Sequence, residues 1–522
     1  MSRNVSFIDK TISRFAPGLA LKREVARQRL EFLNSGYSHH GANRSKKSML
    51  DWNSESRSPT EDINDNLTEL RQRSRDLFMG GANIATGALR TKRTNVVGSG
   101  LVLKPSIDND FLKMSDDEAE TWKQNVVREF EYYSSSVNCD SLRLNNFYEL
   151  QQLAFLSKLM SGDVFAVLPY KKRTGFIYDL RILLLEADRV GTPVDKLSDS
   201  DISQGVEVKN GEIKAYYIFN QHPGASNFDY TYKRIEAFGA LTGRRNVLHL
   251  MESERPGQTR GIPILAPVIE SLRQLGKYTN TELTAAVVGG LFTVFVKSLT
   301  PEAGMGEGIP HNEKITDDDY SYELGYGSVA HLDVDEDITV ASPGRPNVAF
   351  DGFVNAVMRQ IGAALEIPYE LLIKHFSASY SASRAALLEA WKMFRMARKW
   401  FASDFCQPIY EEWLSEAVAK GRVYAPGFFD DPIIKAAYCK AEWHGPSPGQ
   451  IDPLKEVTAA VIRIREEIST REREAAELTG TDFNANHRQR IKEELMRKEL
   501  LDIGTDVVRR STTRGGDEQN ET

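Results

Sequence analysis

Cysteine is the first thing this chain has little of. Its 522 residues hold three, Cys139, Cys406 and Cys439, too far apart to form a metal-ligand or redox pair. That fits a reducing compartment, or a protein that simply does not use disulfides. No run reaches the roughly 20 apolar residues of a membrane span. The uncharged stretch Leu283–Val296 ends at Lys297 after fourteen residues, and reads as a helix buried among neighbours. Positive charge is not in excess either: 66 Lys and Arg stand against 73 Asp and Glu, net −7. Avid phosphate neutralisation needs clustered cations, so a tight nucleic-acid binder is disfavoured. No apolar core with a small-residue cleavage site opens the chain, so cytosolic synthesis is expected.

Catalytic signatures are also missing. G-x-x-x-x-G-K-[ST] occurs nowhere, so the chain is not expected to be a P-loop ATPase, and H-E-x-x-H does not occur. GYSHHG at 36–41 misses the nucleophile-elbow spacing by one residue. Gly98 and Gly100 do not open a dinucleotide site, because Leu103 stands where the third glycine belongs; two glycines in a turn is the reading. Asp333, Asp335 and Asp337 alternate as in a calcium loop. Ile338 and Gly344 occupy the positions that need glycine and a carboxylate, so that reading fails. Asp317, Asp318 and Asp319 read as a solvated turn. No catalytic, cofactor-binding or metal residue is assigned.

What is present is an ordinary core composition, 41% hydrophobic and 27% charged, enough for two to four domains. Residues 1–65 read as a flexible, locally basic arm. Helices are expected over Ser115–Tyr133, with Trp122, Val126 and Phe130 on one face, and over Asn146–Leu159. Residues 162–250 are β-rich: GDVFAVLPY, YDLRILLLEADRV, QGVEVKNGEIKAYYIF and RNVLHLM are strand-like, and Asn210-Gly211 marks a type I′ hairpin. His249 reads as a structural histidine. The class is α+β, mostly α-helical.

The chain is organised around Arg260–Gly421. An apolar stripe at Ile264, Val268, Leu272 and Leu275 opens a helical run that extends to Ser298. A Gly- and Pro-broken excursion follows over 298–346, with short strands at Ser328–Leu332 and Ile338–Val340. The chain returns as a second helix and a tight loop. A long helix then starts behind Ser381 or Ser383, kinks or ends at Pro408 and closes at Gly421. Its seam of Leu387, Trp391, Phe394, Phe401 and Phe405 reads as core packing. The tail from Ile462 is dense in mixed charge, and residues from Ser511 onward read as disordered.

Seven segments in order carry a resemblance. They are RTKRTNVVGSGLVLKPSID at 90–108, LLEADRVGTP at 184–193, GVEVKNGEIKAYYIFNQHPG at 205–224 and VLHLMESERPGQTRGIPILAPVI at 247–269. YSASRAALLEAWKMF at 380–394, CQPIYEEWLSEAV at 406–418 and IDPLKEVTAA at 451–460 complete the set. Together, from about Leu67 to Asp482, they resemble the portal proteins of lambda-like tailed bacteriophages. The likeness departs at HLDVDEDI, 331–338, where the family more often has a Pro-Gly turn.

The resemblance implies a portal fold assembled as a ring, usually of twelve copies, at one capsid vertex of the virion. Residues 66–261 would form the wing, 262–297 and 347–372 two stem helices, and 298–346 the clip. Residues 373–384 would be the tunnel loop, 385–421 the long helix, 422–461 a wing/crown joint and 462–510 a helical crown. Expected partners are the terminase large subunit, the major capsid protein and scaffold, a head–tail connector or completion protein, and double-stranded DNA in the channel; no membrane and no cofactor are implied. Twelve helices about 10 Å apart on a circle give an axis-to-axis diameter of about 38 Å and a bore of about 28 Å. B-DNA, about 20 Å across, passes. A conduit must not grip its cargo, which suits the acidic balance. In the tunnel loop and adjacent helix, Lys374, His375, Ser377, Ser379, Tyr380 and Arg384 are expected to meet DNA. The rival from another class is a metal-dependent nuclease or other head-assembly enzyme built on Asp317–Asp319 and Asp333–Asp337.

Overall fold

Several helix starts are fixed by side chains that occupy the orphan N–H groups of the first turn. The computed structural model describes residues 55–80, 83–290, 294–298, 336–340, 349–376, 379–449 and 452–514, with short pieces between 14 and 26 and at 47–49. Met1–Ser58 forms one unit and Pro59–Thr522 another; the candidate site lies in the second. Helices α1 (Pro59–Asn64), α2 (Leu67–Met79) and α3 (Asn83–Val96) lead to strand β1 (Val102–Pro105) and the single turn α4 (Asn109–Leu112). Next come α5 (Asp116–Ser134) and α6 (Phe147–Ser161), each opened by a capping box. At α5 the Ser115 N–H donates to Glu118 at 2.9 Å and the Glu118 N–H to the Ser115 hydroxyl at 3.3 Å. Asn146 and Glu149 do the same for α6. Both expected helices form, and Trp122, Val126 and Phe130 are buried as the spacing required.

The β-rich stretch makes two small sheets. Strand β2 (Asp163–Val167) is central between β3 (Leu183–Glu186) and β8 (Val247–Met251), all antiparallel. The second sheet runs β4 (Ile202–Ser203), β5 (Val206–Lys209), β6 (Glu212–Phe219), β7 (Tyr232–Glu236). Asn210 and Gly211 join β5 to β6 with φ of 55° and 78°, the positive angles a type I′ turn requires. Phe165, Leu185, Val206, Tyr216 and Ile218 pack the two sheets together.

Beyond β8 come α7 (Ile269–Gly290), the antiparallel pair β9 (Val294–Ser298) and β10 (Glu336–Val340), then α8 (Phe350–Ala364) and α9 (Tyr369–Ile373). Next are α10 (Tyr380–Phe401), a π turn at Ala402–Cys406, α11 (Gln407–Ala419) and α12 (Pro432–Cys439). Strand β11 (Ala441–His444) pairs with β1, placing Val102 opposite His444. Helices α13 (Pro453–Arg465), α14 (Arg471–Thr479) and α15 (Phe483–Arg514) finish the described chain. The main core lies where α5, α6 and α11 meet the β1–β11 ribbon. Phe130 stands edge-on to Trp413 at 4.9 Å and to Phe147 at 5.6 Å, and Phe147 stacks on Phe405 at 6.0 Å. Each such fully buried large apolar side chain contributes about 1.5–3 kcal/mol.

Several expectations change. Residues 59–64 are helical rather than part of a flexible arm. The helix expected through Val296 stops at Gly290, and a strand follows. Its Leu283 and Val287 are 65% and 60% exposed, not buried. The return helix breaks after Ala364 because Glu366 turns left-handed, φ 54°, ahead of Pro368. The long helix begins at Tyr380, so the N-cap position falls on Ser379, without a side-chain cap bond, rather than on Ser381 or Ser383. It changes to π hydrogen bonding before Pro408, so that residue falls in the first turn of α11, where a missing N–H is harmless. Within 422–461, expected as a joint, lie α12, β11 and the start of α13. Residues 511–514, expected disordered, belong to α15. His249 is structural as expected: buried, stacked on Phe165 at 4.2 Å and 3.3 Å from Asp163. Asp317–Asp319, Asp333, Asp335, GYSHHG and the strand at 328–332 lie outside the described residues.

Candidate nucleic-acid interface

The segment between α9 and α10 is built from its anchors outward. Leu372 and Ile367 are buried and fix α9 against the body. Gly362 lets the chain turn back closely, since a Cβ there would sit 2.7 Å from the Ile367 carbonyl. Lys374 ends α9 in the left-handed conformation, φ 56° and ψ 36°, with its N–H returning to the Glu370 carbonyl. The His375 N–H donates to that same carbonyl at 3.1 Å. This compact stop turns Lys374, His375 and Phe376 out to solvent. The chain re-enters helix at Ser379, whose carbonyl accepts from Ser383 N–H at 3.0 Å. Its hydroxyl makes no cap bond, which leaves that group exposed and unspent.

The expected site residues therefore fall into three groups. Lys374, His375 and Ser379 are exposed on one short connection. Tyr380 is the first residue of α10, and Ser377 lies outside the described residues. Arg384 is one turn into α10 and its guanidinium donates to Glu456 of α13 at 2.9 Å. Its charge is compensated, so the net positive charge of the connection rests on Lys374.

The far end of α10 is clamped by contacts that sequence reading missed. Arg398, on α10, donates to the carbonyls of Val96 at 3.0 Å, Asn95 at 2.8 Å and Pro446 at 2.7 Å. The first two end α3, where carbonyls lack helical partners and carry the negative end of the helix dipole. Burial, reinforced by Arg395, lowers the Arg398 pKa to about 10. A second knot sits under the stalk formed by α7 and α8. Asp163 is fully buried and accepts from Arg260 at 2.6 Å, Arg71 at 2.8 Å and the Gly261 N–H at 3.1 Å. Burial alone would raise its pKa; Arg260 and Arg71 overcome that and hold the carboxyl ionised, well below its usual range. Gly162 and Gly261 meet so closely there that a Cβ on Gly261 would stand 2.0 Å from the Gly162 carbonyl oxygen. The glycines were visible in sequence, but the pairing of Arg71, Asp163 and Arg260 had no local signal.

The stalk itself is sparsely covered. Leu272 and Leu275 are buried at its base, and Tyr278 stacks on Phe350 at 5.5 Å and meets Phe353 edge-on at 5.2 Å. Phe353 beside Tyr278, and Leu283 and Val287 farther along α7, are more than half exposed. From Tyr278 to Gly290 the one charged residue is Glu282. No group of three or more metal-ligating side chains occurs among the described residues. No described helix is long and apolar enough to cross a membrane.

A helical stalk on an α+β body, with a solvent-exposed connection at its root, is the class of architecture here. A sequence model of the phage portal protein, lambda family, matches residues 45–398, and the chain belongs to that family. Portal protein B of Escherichia phage lambda is 24% identical over 486 residues, covering 89% of this chain and 90% of that protein. The portal protein of Escherichia phage N15 is 25% identical over 486 residues, covering 89% and 91%. Among solved structures, the neck of a native gene transfer agent particle computed with C12 symmetry aligns with TM-score 0.41 and 12% identity, over 79% of this chain and 92% of that one. The neck of the empty particle, computed with C6 symmetry, gives 0.42 and 12%, over 77% and 92%.

Proposed function

We propose that this chain is the subunit of a ring-shaped channel at one capsid vertex, through which double-stranded DNA is packaged and later ejected. The observation that carries this reading, beyond family membership, is the stalk. A helix whose outer faces present Leu283, Val287, threonines and alanines, with one charge in thirteen residues, is poorly suited to water. Exposed apolar surface of this kind marks an interaction site. Copies standing side by side cover such faces, and rotation about one axis closes a head-to-tail contact into a ring. Twelve is the number this reading adopts.

By this reading residues 66–261 are the wing, α7 and α8 the stem, and 298–346 the clip that meets the terminase large subunit and then the head–tail connector. Residues 373–384 form the tunnel loop, α10 with α11 the long helix, and the chain after Ile462 the crown. Major capsid protein and scaffold surround the ring, which is made in the host cytoplasm and ends in the virion. Lys374, His375, Ser377, Ser379, Tyr380 and Arg384 line or approach the passage. Exposed Lys374 is the principal phosphate contact and Arg384 a positioning residue through Glu456. One cation per copy suits sliding, since each phosphate neutralised adds affinity and salt dependence. No residue is assigned to catalysis.

Purified full-length protein viewed by negative stain and weighed by native mass spectrometry is expected to give annular particles with a central hole. A monomer at every salt and concentration tried would overturn the reading. For the loop, Lys374→Ala is expected to weaken DNA retention in filled heads without altering ring assembly. Unchanged packaging and retention in Lys374→Ala/Arg384→Ala would remove the loop assignment.

A further inference from the structure

Helix α13 buries only Ala460 within its own chain. Leu454, Val457 and Val461 recur at three and four along one face, 79%, 46% and 57% exposed. Ile468, past the left-handed turn at Glu467, is 70% exposed. The opposite face is held to α10, where Glu456 meets Arg384. On α14, next in sequence, Glu477 lies 3.9 Å from Arg395. So α13 and α14 stand against one flank of α10, and the apolar line faces away from it.

Helix α10 has its own uncovered apolar patch. Met396 and Trp400, one turn apart, are 43% and 44% exposed. They lie more than a quarter-turn around the helix from Arg384 and Arg395, on the side that α13 leaves open, whereas Leu388 falls on the flank of Arg384 and Arg395. The charges beside the two faces are complementary. Lys392, Arg395, Lys455 and Arg465 each have a carboxylate within 4 Å in the same chain. Lys399 beside Trp400, and Glu467 beside Ile468, are exposed with no counter-ion among the described residues.

We infer that the Leu454–Val461 face of α13 docks on the Met396–Trp400 face of α10 in a second copy of this chain, with Glu467 paired to the partner copy's Lys399. The inference rests on the ring reading and deepens it. It makes the contact between neighbours head-to-tail, as a closed ring requires. Each α13 then lies between the α10 of its own chain and that of its neighbour. The apolar faces supply burial, and the single ion pair sets register and excludes slipped pairings.

The test uses full-length protein, whose three native cysteines are all buried. Annular particles of a Met396→Cys/Val461→Cys variant, treated with a short bis-maleimide, are expected to give a ladder of covalent multimers on a denaturing gel. Each single-cysteine variant should stay monomeric on the same gel. Lys399→Glu is expected to lower the annular fraction about tenfold at fixed concentration, the effect of placing like charges together. Lys399→Glu/Glu467→Lys, folded to the same far-UV spectrum, is expected to restore it. Intact annular particles that yield no intermolecular ladder, or that form equally well with Lys399→Glu, overturn this contact and leave the ring reading standing. Wild-type protein that never forms annular particles sinks both.

Discussion

Asp163 shows how much one residue can hold. It brings a negative charge into an interior with no solvent access, and three elements converge on it through Arg71, Arg260 and His249. Removing one partner of a buried charge network leaves the others uncompensated, which destabilises by about 3–5 kcal/mol. Asp163→Asn is therefore expected to lower the urea midpoint of the monomer sharply, read by tryptophan fluorescence. An unchanged midpoint would show that the two guanidiniums need no anion. Lys92 offers the complementary case. It is 5% exposed and lines a cavity of about 190 Å³ with Lys158, Glu252 and Glu366. Burial lowers its pKa from 10.5 to about 8, with Glu366 and Glu252 opposing and Lys158 adding to the shift. Below pH 8 folded and unfolded states are both protonated, and the penalty of burying the charge is fully expressed. Between 8 and 10.5 the unfolded state holds the extra proton, so stability rises with pH in that window. Lys92→Met is expected to flatten that rise relative to wild type and to stabilise the protein by about 3 kcal/mol at pH 7. Parallel pH profiles for the two proteins would refute it.

At the scale of elements, Ser115→Ala should remove one half of the α5 capping box and destabilise the fold by about 1 kcal/mol, measured by denaturant unfolding. Caps of this sort are local, and they are the part of the fold that sequence made plain. Ser115 with Glu118, Asn146 with Glu149 and Asn210 with Gly211 each declare themselves within a few residues. The apolar periodicity of α5 did the same for Trp122, Val126 and Phe130. What could not be read joins distant positions. Four-residue β1 and β11 are too short to show alternation, and nothing near Val102 points to His444. Arg398 looks like any helical arginine until α3 ends beneath it. The stalk misled for a different reason. The uncharged run from Leu283 was evident, but its natural reading was a helix buried among neighbours, and Leu283 and Val287 are uncovered in this chain. Of the candidate site, the exposed connection after α9 was visible as a cluster of small residues before a helix. The pairing of Arg384 with Glu456, 72 positions away, was not.

For the whole molecule, the ring reading predicts that a charge on the stalk acts on assembly rather than on folding. Val287 is 60% exposed in one copy, so Val287→Asp is expected to keep the monomer's far-UV spectrum and thermal midpoint while abolishing annular particles. Loss of the monomer fold would mean that Val287 serves its own chain instead.

The β1–β11 ribbon has a consequence for how a subunit comes into being. Val102 leaves the ribosome about 340 positions before the His444 that will lie opposite it. At 5–20 residues per second, translation keeps the two apart for about 20–70 seconds. Within that interval the stalk segments are completed, before the strand that closes the body exists. Closure thus waits for Ala441–His444, and a truncated polypeptide ending before Ala441 lacks the second half of that ribbon. A broken message would then yield a product marked as defective by its own unpaired edge.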